Sequence, residues 1–217
     1  MKAVLFDLDG TLTDSSPGIT ACIQHALREL GRPVPEADTL RWCIGPPLAG
    51  SFAKLLASAD TELVTQAVAL YRSRFAATGF AENAVYAGVP EALRKVRSMG
   101  CRLFVGTSKP EVYAAKIVAH FDMGGMFDGV HGSEMSGARS DKAELIAHIM
   151  RMERLSPADT IMIGDRAQDV IGARRCAIPC IGVAYGYGGR EELRESGAVA
   201  IAERPDEIPA LVERHLG

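Results

Sequence analysis

A chain of 217 residues with 47% hydrophobic content and a net charge of −3 is long enough to bury a core, as one large domain or two small ones. That charge, with no block of like sign, lacks the basic footprint of a nucleic-acid binder, so no nucleic-acid partner is expected. No run reaches the ~18 apolar residues of a membrane span, Met1-Lys2-Ala3-Val4 leaves no room for a signal segment, and the five cysteines are an odd number. A cytoplasmic protein with reduced thiols and no membrane partner is expected.

The first element is the apolar run Ala3-Val4-Leu5-Phe6, a short buried strand that delivers Asp7-Leu8-Asp9-Gly10-Thr11-Leu12-Thr13-Asp14. Two acids two residues apart then stand at a strand's carboxyl end, the edge where ligands bind in open α/β sheets. They can bind a hard cation such as Mg²⁺, divide nucleophile and proton-transfer roles, or simply end the strand as turn residues. Side chains alternate along a strand, so Asp7 and Asp9 share a face only if the extended geometry persists between them.

Ser15-Ser16-Pro17 opens a helix with Ile19, Ile23, Leu27 and Leu30 at helical spacing, and Gly31 stops it. Pro35 to Phe80 is Ala- and Leu-rich and reads as a short helix near 36–42 and longer ones over 46–58 and 60–78, without a strand. Residues 15–84 thus form an all-helical insertion. After Gly88 the pattern turns to helices alternating with short apolar strands, the signature of a parallel sheet. Strands are expected at 102–107, 129–132, 160–165, 179–184 and 198–202, with helices at 89–99, 111–120, 142–154, 170–176 and 191–196 between them. The fold class is therefore α/β, a Rossmann-like parallel-sheet core of residues 1–14 and 85–217 with an inserted helical domain.

Other strand ends carry chemistry too. Thr107-Ser108-Lys109 offers hydroxyls, backbone N–H groups and a cation that can hold a phosphate oxygen, although Ser and Thr also serve as turn residues after strands. Lys142 opens a helix, where a cation opposes the macrodipole and an anionic partner becomes attractive. Ile161-Met162-Ile163-Gly164-Asp165 places an acid after a strand. Asp169 follows on the first helical turn, as a further ligand or as an acid complementing the dipole. Gly186-Tyr187-Gly188-Gly189 lacks the third glycine of a dinucleotide fingerprint, where Glu191 stands, and reads as a loop near the active-site edge. No His-x-x-x-His pair and no Gly-x-Ser-x-Gly elbow is present, which argues against zinc hydrolysis and serine acyl chemistry.

The opening octet resembles the first motif, Asp-x-Asp-Gly-Thr-Leu-x-Asp, of the haloacid dehalogenase superfamily of phosphohydrolases. Thr107 is similar to its second motif, Lys142 to its third, although Ala143 stands where many relatives have Pro, and Gly164-Asp165-Arg166-x-x-Asp169 to its fourth. The resemblance implies Asp7 as nucleophile, Asp9 as general acid and base, Thr107 as phosphate-binding and Lys142 as charge-neutralising, with Ser108 and Lys109 beside Thr107 as further substrate-binding candidates. It implies a Mg²⁺ site of Asp7, Asp165, Asp169 and, through its backbone carbonyl, Asp9. The helical insertion matches the family's cap, and Cys43-Ile44-Gly45-Pro46-Pro47-Leu48 looks like the loop that phosphoglycolate phosphatase-like and 5′-nucleotidase-like members place over the active site, making Gly45 and Pro46 substrate-binding candidates.

The expected activity is hydrolysis of a small phosphorylated metabolite, most like phosphoglycolate phosphatase. A 5′-nucleotidase and a sugar-phosphate mutase like β-phosphoglucomutase are alternatives on the same scaffold. A receiver-like signalling module also phosphorylates an Asp at a strand end with Mg²⁺, but has no role for Asp9 or the helical insertion. Monomer and dimer are both open.

Overall fold

A computed structural model describes residues 1–216. In chain order the elements are β1 (Ala3–Phe6), β2 (Thr13–Asp14), α1 (Ser16–Glu29), α2 (Leu48–Leu55), α3 (Thr61–Arg74), β3 (Ala84–Val85), α4 (Val89–Ser98), β4 (Arg102–Pro110), α5 (Glu111–His120), β5 (Gly129–Ser133), α6 (Lys142–Met152), β6 (Thr160–Gly164), α7 (Ala167–Arg175), β7 (Cys180–Val183), α8 (Gly189–Ser196), β8 (Ala200–Ala202) and α9 (Ile208–Leu216). The chain divides into two compact units, a core of Met1–Asp14 with Val85–Gly217 and a helical unit of Ser15–Ala84.

In the core unit six parallel strands stand in the order β5-β4-β1-β6-β7-β8. Apolar strands as short as β1 suit this sheet because both faces are covered, so no alternation with polar residues is needed. Ala3, Leu5, Phe104 and Met162 pack with Leu145, Ile146 and Ile149 of α6, Val170 and Ala173 of α7 and Leu193 of α8. The alternate residues Val4, Phe6, Leu103, Val105, Ile161 and Ile163 are also fully buried and point to the opposite face. There α4 contacts β4, and α9 contacts β6 and β8. Each such side chain contributes roughly 1.5–3 kcal/mol on burial, and β1 has neighbours on both edges and both faces. Chain order reverses around it, β4 and β5 lying to one side and β6, β7 and β8 to the other.

The helical unit has its own core, in which α1 and α2 both pack on α3. Phe52, Tyr71 and Phe75 form an aromatic row, and Arg74 binds Glu82 through both guanidinium NH groups at 2.7 and 2.9 Å. Of its elements, α2 is shorter than the expected 46–58 helix. Residues 37–43 wind as a 3₁₀ helix, α2 begins only at Leu48 because a residue before proline is pushed to extended geometry, and Ala57 in the left-handed region ends it. Asp60 caps α3 through the N–H groups of Glu62 and Leu63, and α3 runs on into a π-helical turn, Phe75–Gly79. Ser15 sits at the start of α1 without a side-chain cap bond, so Pro17 is the residue that sets that helix's first turn.

Two short strands, β2 and β3, form a second sheet where the chain leaves and re-enters the core. Strand β4 runs three residues past the expected end at Thr107, since Lys109 precedes a proline and stays extended; its pairing with β5 is irregular between Thr107 and Pro110. All five cysteines are free thiols, buried except for the half-buried Cys176. Among the described residues no helix is long and apolar enough to cross a membrane.

Candidate active site

Register brings the strand ends together. Phe6 pairs with Val105 of β4 and Ile163 of β6, so Asp7, one residue on, lies level with Gly106 and Gly164. The Asp7 N–H donates to the Ile163 carbonyl at 2.9 Å, which holds the backbone extended for that one residue more. The chain then turns about the Leu8 carbonyl, which accepts from the N–H groups of Thr11, Leu12 and Thr13. Gly10 takes φ +83°, and a Cβ there would lie 2.1 Å from Asp165 Oδ2; the glycine serves both the turn and the close approach.

The turn separates the two acids of the octet. Asp7 is 6% exposed, and one carboxylate oxygen each from Asp7, Asp165 and Asp169 lie within 4.8 Å of one another. Asp9 is outside this cluster and pairs instead with Lys109 Nζ at 2.9 Å. Its carboxylate is therefore not in the group expected to hold a metal, because the extended geometry that would align it with Asp7 ends at Leu8.

Lys142, 5% exposed, lies at the first turn of α6, whose N-cap Asp141 accepts from the Glu144 N–H at 3.0 Å. Its ammonium donates to the Gly106 carbonyl at 3.1 Å and stands 3.1 Å from Asp7 Oδ1 and 2.7 Å from Asp169 Oδ1. Both carboxylate oxygens are buried and within ion-pair distance of the ammonium. Asp169 Oδ2 accepts from the Arg166 N–H at 3.1 Å, which adds the cap of α7 to its roles.

Asp165 is fully buried; its Oδ2 accepts from the Tyr187 N–H at 2.8 Å and its Oδ1 from the Thr11 hydroxyl at 3.4 Å. Burial, then the charges of Asp169 and Asp7, push its carboxyl well above the usual range. Burial likewise raises Asp169, to about 6, against the pull of Lys142. Burial works against the Lys142 ammonium, but Asp169 and Asp7 outweigh it and hold the proton more firmly than usual. Three buried carboxyl groups face one ammonium, too little positive charge to favour the charged form of all three. Three hard oxygen donors within 4.8 Å of one another and a shortage of positive charge fit a small divalent cation.

Of the remaining expected residues, Thr107 is 2% exposed and its Oγ1 accepts from the Lys109 N–H at 3.3 Å. Thr107 and Ser108 lie between Gly106, which holds Lys142, and Lys109, which holds Asp9. The Ser108 carbonyl accepts from the Ser133 hydroxyl of β5 at 2.8 Å. Gly45 and Pro46 belong to the helical unit, between its 3₁₀ helix and α2. Sequence reasoning missed Thr11, Tyr187 and Ser133; the first lay inside the octet and the second in the Gly-rich loop after a strand, while nothing marked Ser133.

The model of the haloacid dehalogenase-like hydrolase family matches residues 4–183. A 5′-nucleotidase of Pseudomonas aeruginosa is 45% identical over 88% of this chain and 86% of its own. The tyrosine-protein kinase PtkA of Mycobacterium tuberculosis is 36% identical over 92% of this chain and 68% of its own, and a phosphoglycolate phosphatase of Pseudomonas putida 30% over 97% and 78%. Among solved structures, a predicted phosphatase from Clostridium acetobutylicum superposes with a TM-score of 0.94 at 40% identity, covering 98% of each chain. Sheet order, strand-end acids and these likenesses agree, and the chain belongs to the haloacid dehalogenase-like hydrolase family.

Proposed function

We propose that this protein is a Mg²⁺-dependent phosphatase that hydrolyses small phosphate monoesters through an aspartyl-phosphate on Asp7. The observation that carries the reading is the position of Asp7, at the end of the central strand, inside a three-carboxylate cluster and 3.1 Å from the Lys142 ammonium. Asp7, Asp165 and Asp169, directly or through water, with the Asp9 carbonyl, would hold the cation. When bound, it would supply positive charge to the phosphoryl oxygens.

An Asp7 carboxylate oxygen forms a bond to phosphorus as the bond to the leaving oxygen breaks, and Asp9 gives that oxygen a proton. Asp9 then takes a proton from water, whose oxygen attacks the aspartyl-phosphate, releasing inorganic phosphate and restoring Asp7. Lys142 holds the Asp7 carboxylate by charge, and Thr107 offers its hydroxyl to the phosphoryl group. In the free protein Lys109 is paired with Asp9. A phosphate dianion competes for that ammonium, and its transfer to the substrate frees Asp9 to carry a proton.

Nucleoside 5′-monophosphates come first among substrates and phosphoglycolate second, reversing the expected order, because the relative named 5′-nucleotidase is 45% identical and the phosphoglycolate phosphatase 30%. A second reading, transfer to a hydroxyl other than water, finds support in the relative named a tyrosine-protein kinase and would also cover a mutase. Phosphate release from nucleoside monophosphates, phosphoglycolate, sugar phosphates and p-nitrophenyl phosphate, with and without Mg²⁺, tests both. Stoichiometric release with Asp7→Asn at least about 10³-fold slower supports hydrolysis; wild-type turnover in that variant excludes Asp7 as nucleophile.

A further inference from the structure

The Gly-rich loop after β7 has no part in the chemistry above, yet it closes around Asp165. A Cβ at Gly186 would lie 2.3 Å from Asp165 Cβ and 2.4 Å from the Gly10 carbonyl oxygen, so only glycine lets the loop pass. On either side stands a tyrosine with a long-range bond. The Tyr185 hydroxyl donates to the Thr11 carbonyl at 2.9 Å, and its ring meets Tyr86 edge-on at 5.0 Å. Tyr187 reaches both ways: its N–H donates to Asp165 Oδ2 and its hydroxyl to Asp14 Oδ1, each at 2.8 Å. Asp14 is the last residue of the core unit before the chain enters the helical unit.

We infer that Tyr187 is a positioning residue that couples occupancy of the acidic cluster to the strand by which the chain leaves the core. The inference rests on the cation reading of Asp7, Asp165 and Asp169. A cation drawn onto Asp165 fixes the carboxylate that holds the Tyr187 N–H, and the rigid ring carries that restraint to Asp14. The coupling is reciprocal, so ordering of Asp14 also favours the cation. The hydroxyl–carboxylate bond is charge-assisted and half-buried, which gives it the strength to act as a link.

Hydrogen exchange of the peptide spanning residues 8–16, measured with and without Mg²⁺ alone, tests the link, with Mg²⁺ affinity followed separately by calorimetry. In the wild type Mg²⁺ should slow exchange by about fivefold or more, the low end of allosteric couplings. Tyr187→Phe keeps the N–H on Asp165, so Mg²⁺ should still bind, weakened by no more than the coupling itself, about fivefold, while at saturating Mg²⁺ the slowing is lost. Asp14→Ala should lose it from the other end. Undiminished slowing in either Tyr187→Phe or Asp14→Ala overturns the inference, as does Mg²⁺ binding to wild type without slowing. Absence of Mg²⁺ binding overturns both the inference and the cation reading beneath it.

Discussion

Lys142 and Lys109 divide the two acids of the opening octet between them, and the division is the main chemical fact at the level of single residues. Lys142 sits against Asp7 and Asp169, where three carboxylates outnumber it, whereas Lys109 pairs with Asp9. A substrate phosphate carries two negative charges to the single charge of Asp9, so it competes for the Lys109 ammonium. Lys109→Met is therefore expected to lower kcat/KM by about 10- to 100-fold, the value of one hydrogen bond to a charged group, and to weaken inhibition by inorganic phosphate. Steady-state kinetics with a phosphate titration would check it, and unchanged inhibition would confine Lys109 to packing on Asp9. The types of these residues were legible in the sequence because charged side chains at strand ends have few structural uses. Their pairing was not, since it depends on which way each side chain leaves a turn that Gly10 bends into the left-handed region.

Among the elements, the segment between the 3₁₀ helix and α2 departs furthest from helical periodicity. Gly45 takes φ +99° and Pro47 an extended ψ of 128°, so Ile44 to Pro47 is a stiff loop that takes the first two residues of the expected 46–58 helix. If this loop selects the leaving group, its prolines reduce the entropy lost when it orders. Replacing Pro46 and Pro47 by Gly should then reduce kcat/KM for the preferred substrate by about 4- to 30-fold, at roughly 0.4–1 kcal/mol per proline, and leave p-nitrophenyl phosphate nearly unaffected. Equal losses on both substrates, with the circular dichroism spectrum intact, would remove the loop from substrate selection. Helix existence was readable here from composition, but helix ends were not, because prolines and left-handed residues such as Ala57 act through backbone geometry.

For the whole molecule, concentrating buried carboxylates at one sheet edge ties stability to pH. Asp165 and Asp169 both have folded pKa values raised above the ordinary ~3.9, Asp169 to about 6, so between these values the folded state holds more protons than the unfolded one. The stability they contribute is full below about 4 and is lost as pH rises through the folded values. Surface carboxylates such as Glu91 and Asp141, whose pKa values are lowered by Arg94 and by the Glu144 N–H respectively, drift the opposite way, so the effect must be read as a difference. Without divalent metal, Asp165→Asn should gain in Tm relative to wild type as pH is raised from 4 to 8, since the amide never ionises. Thermal melts in a chelator across that range would check it, and a constant difference would mean that Asp165 does not charge.

The sequence by itself determined that this is an α/β chain with a helical insertion and acids at two strand ends, because apolar runs of four or five residues between helices allow little else. It could not say that β1 and β6 lie side by side in register, and that adjacency is what brings Asp7 to Asp165. Nor could it show that Asp9 turns away to Lys109, or that Tyr187 spans from Asp165 to Asp14. Those contacts join residues far apart in the chain, and only the packing of a sheet covered on both faces decides which strand ends become neighbours.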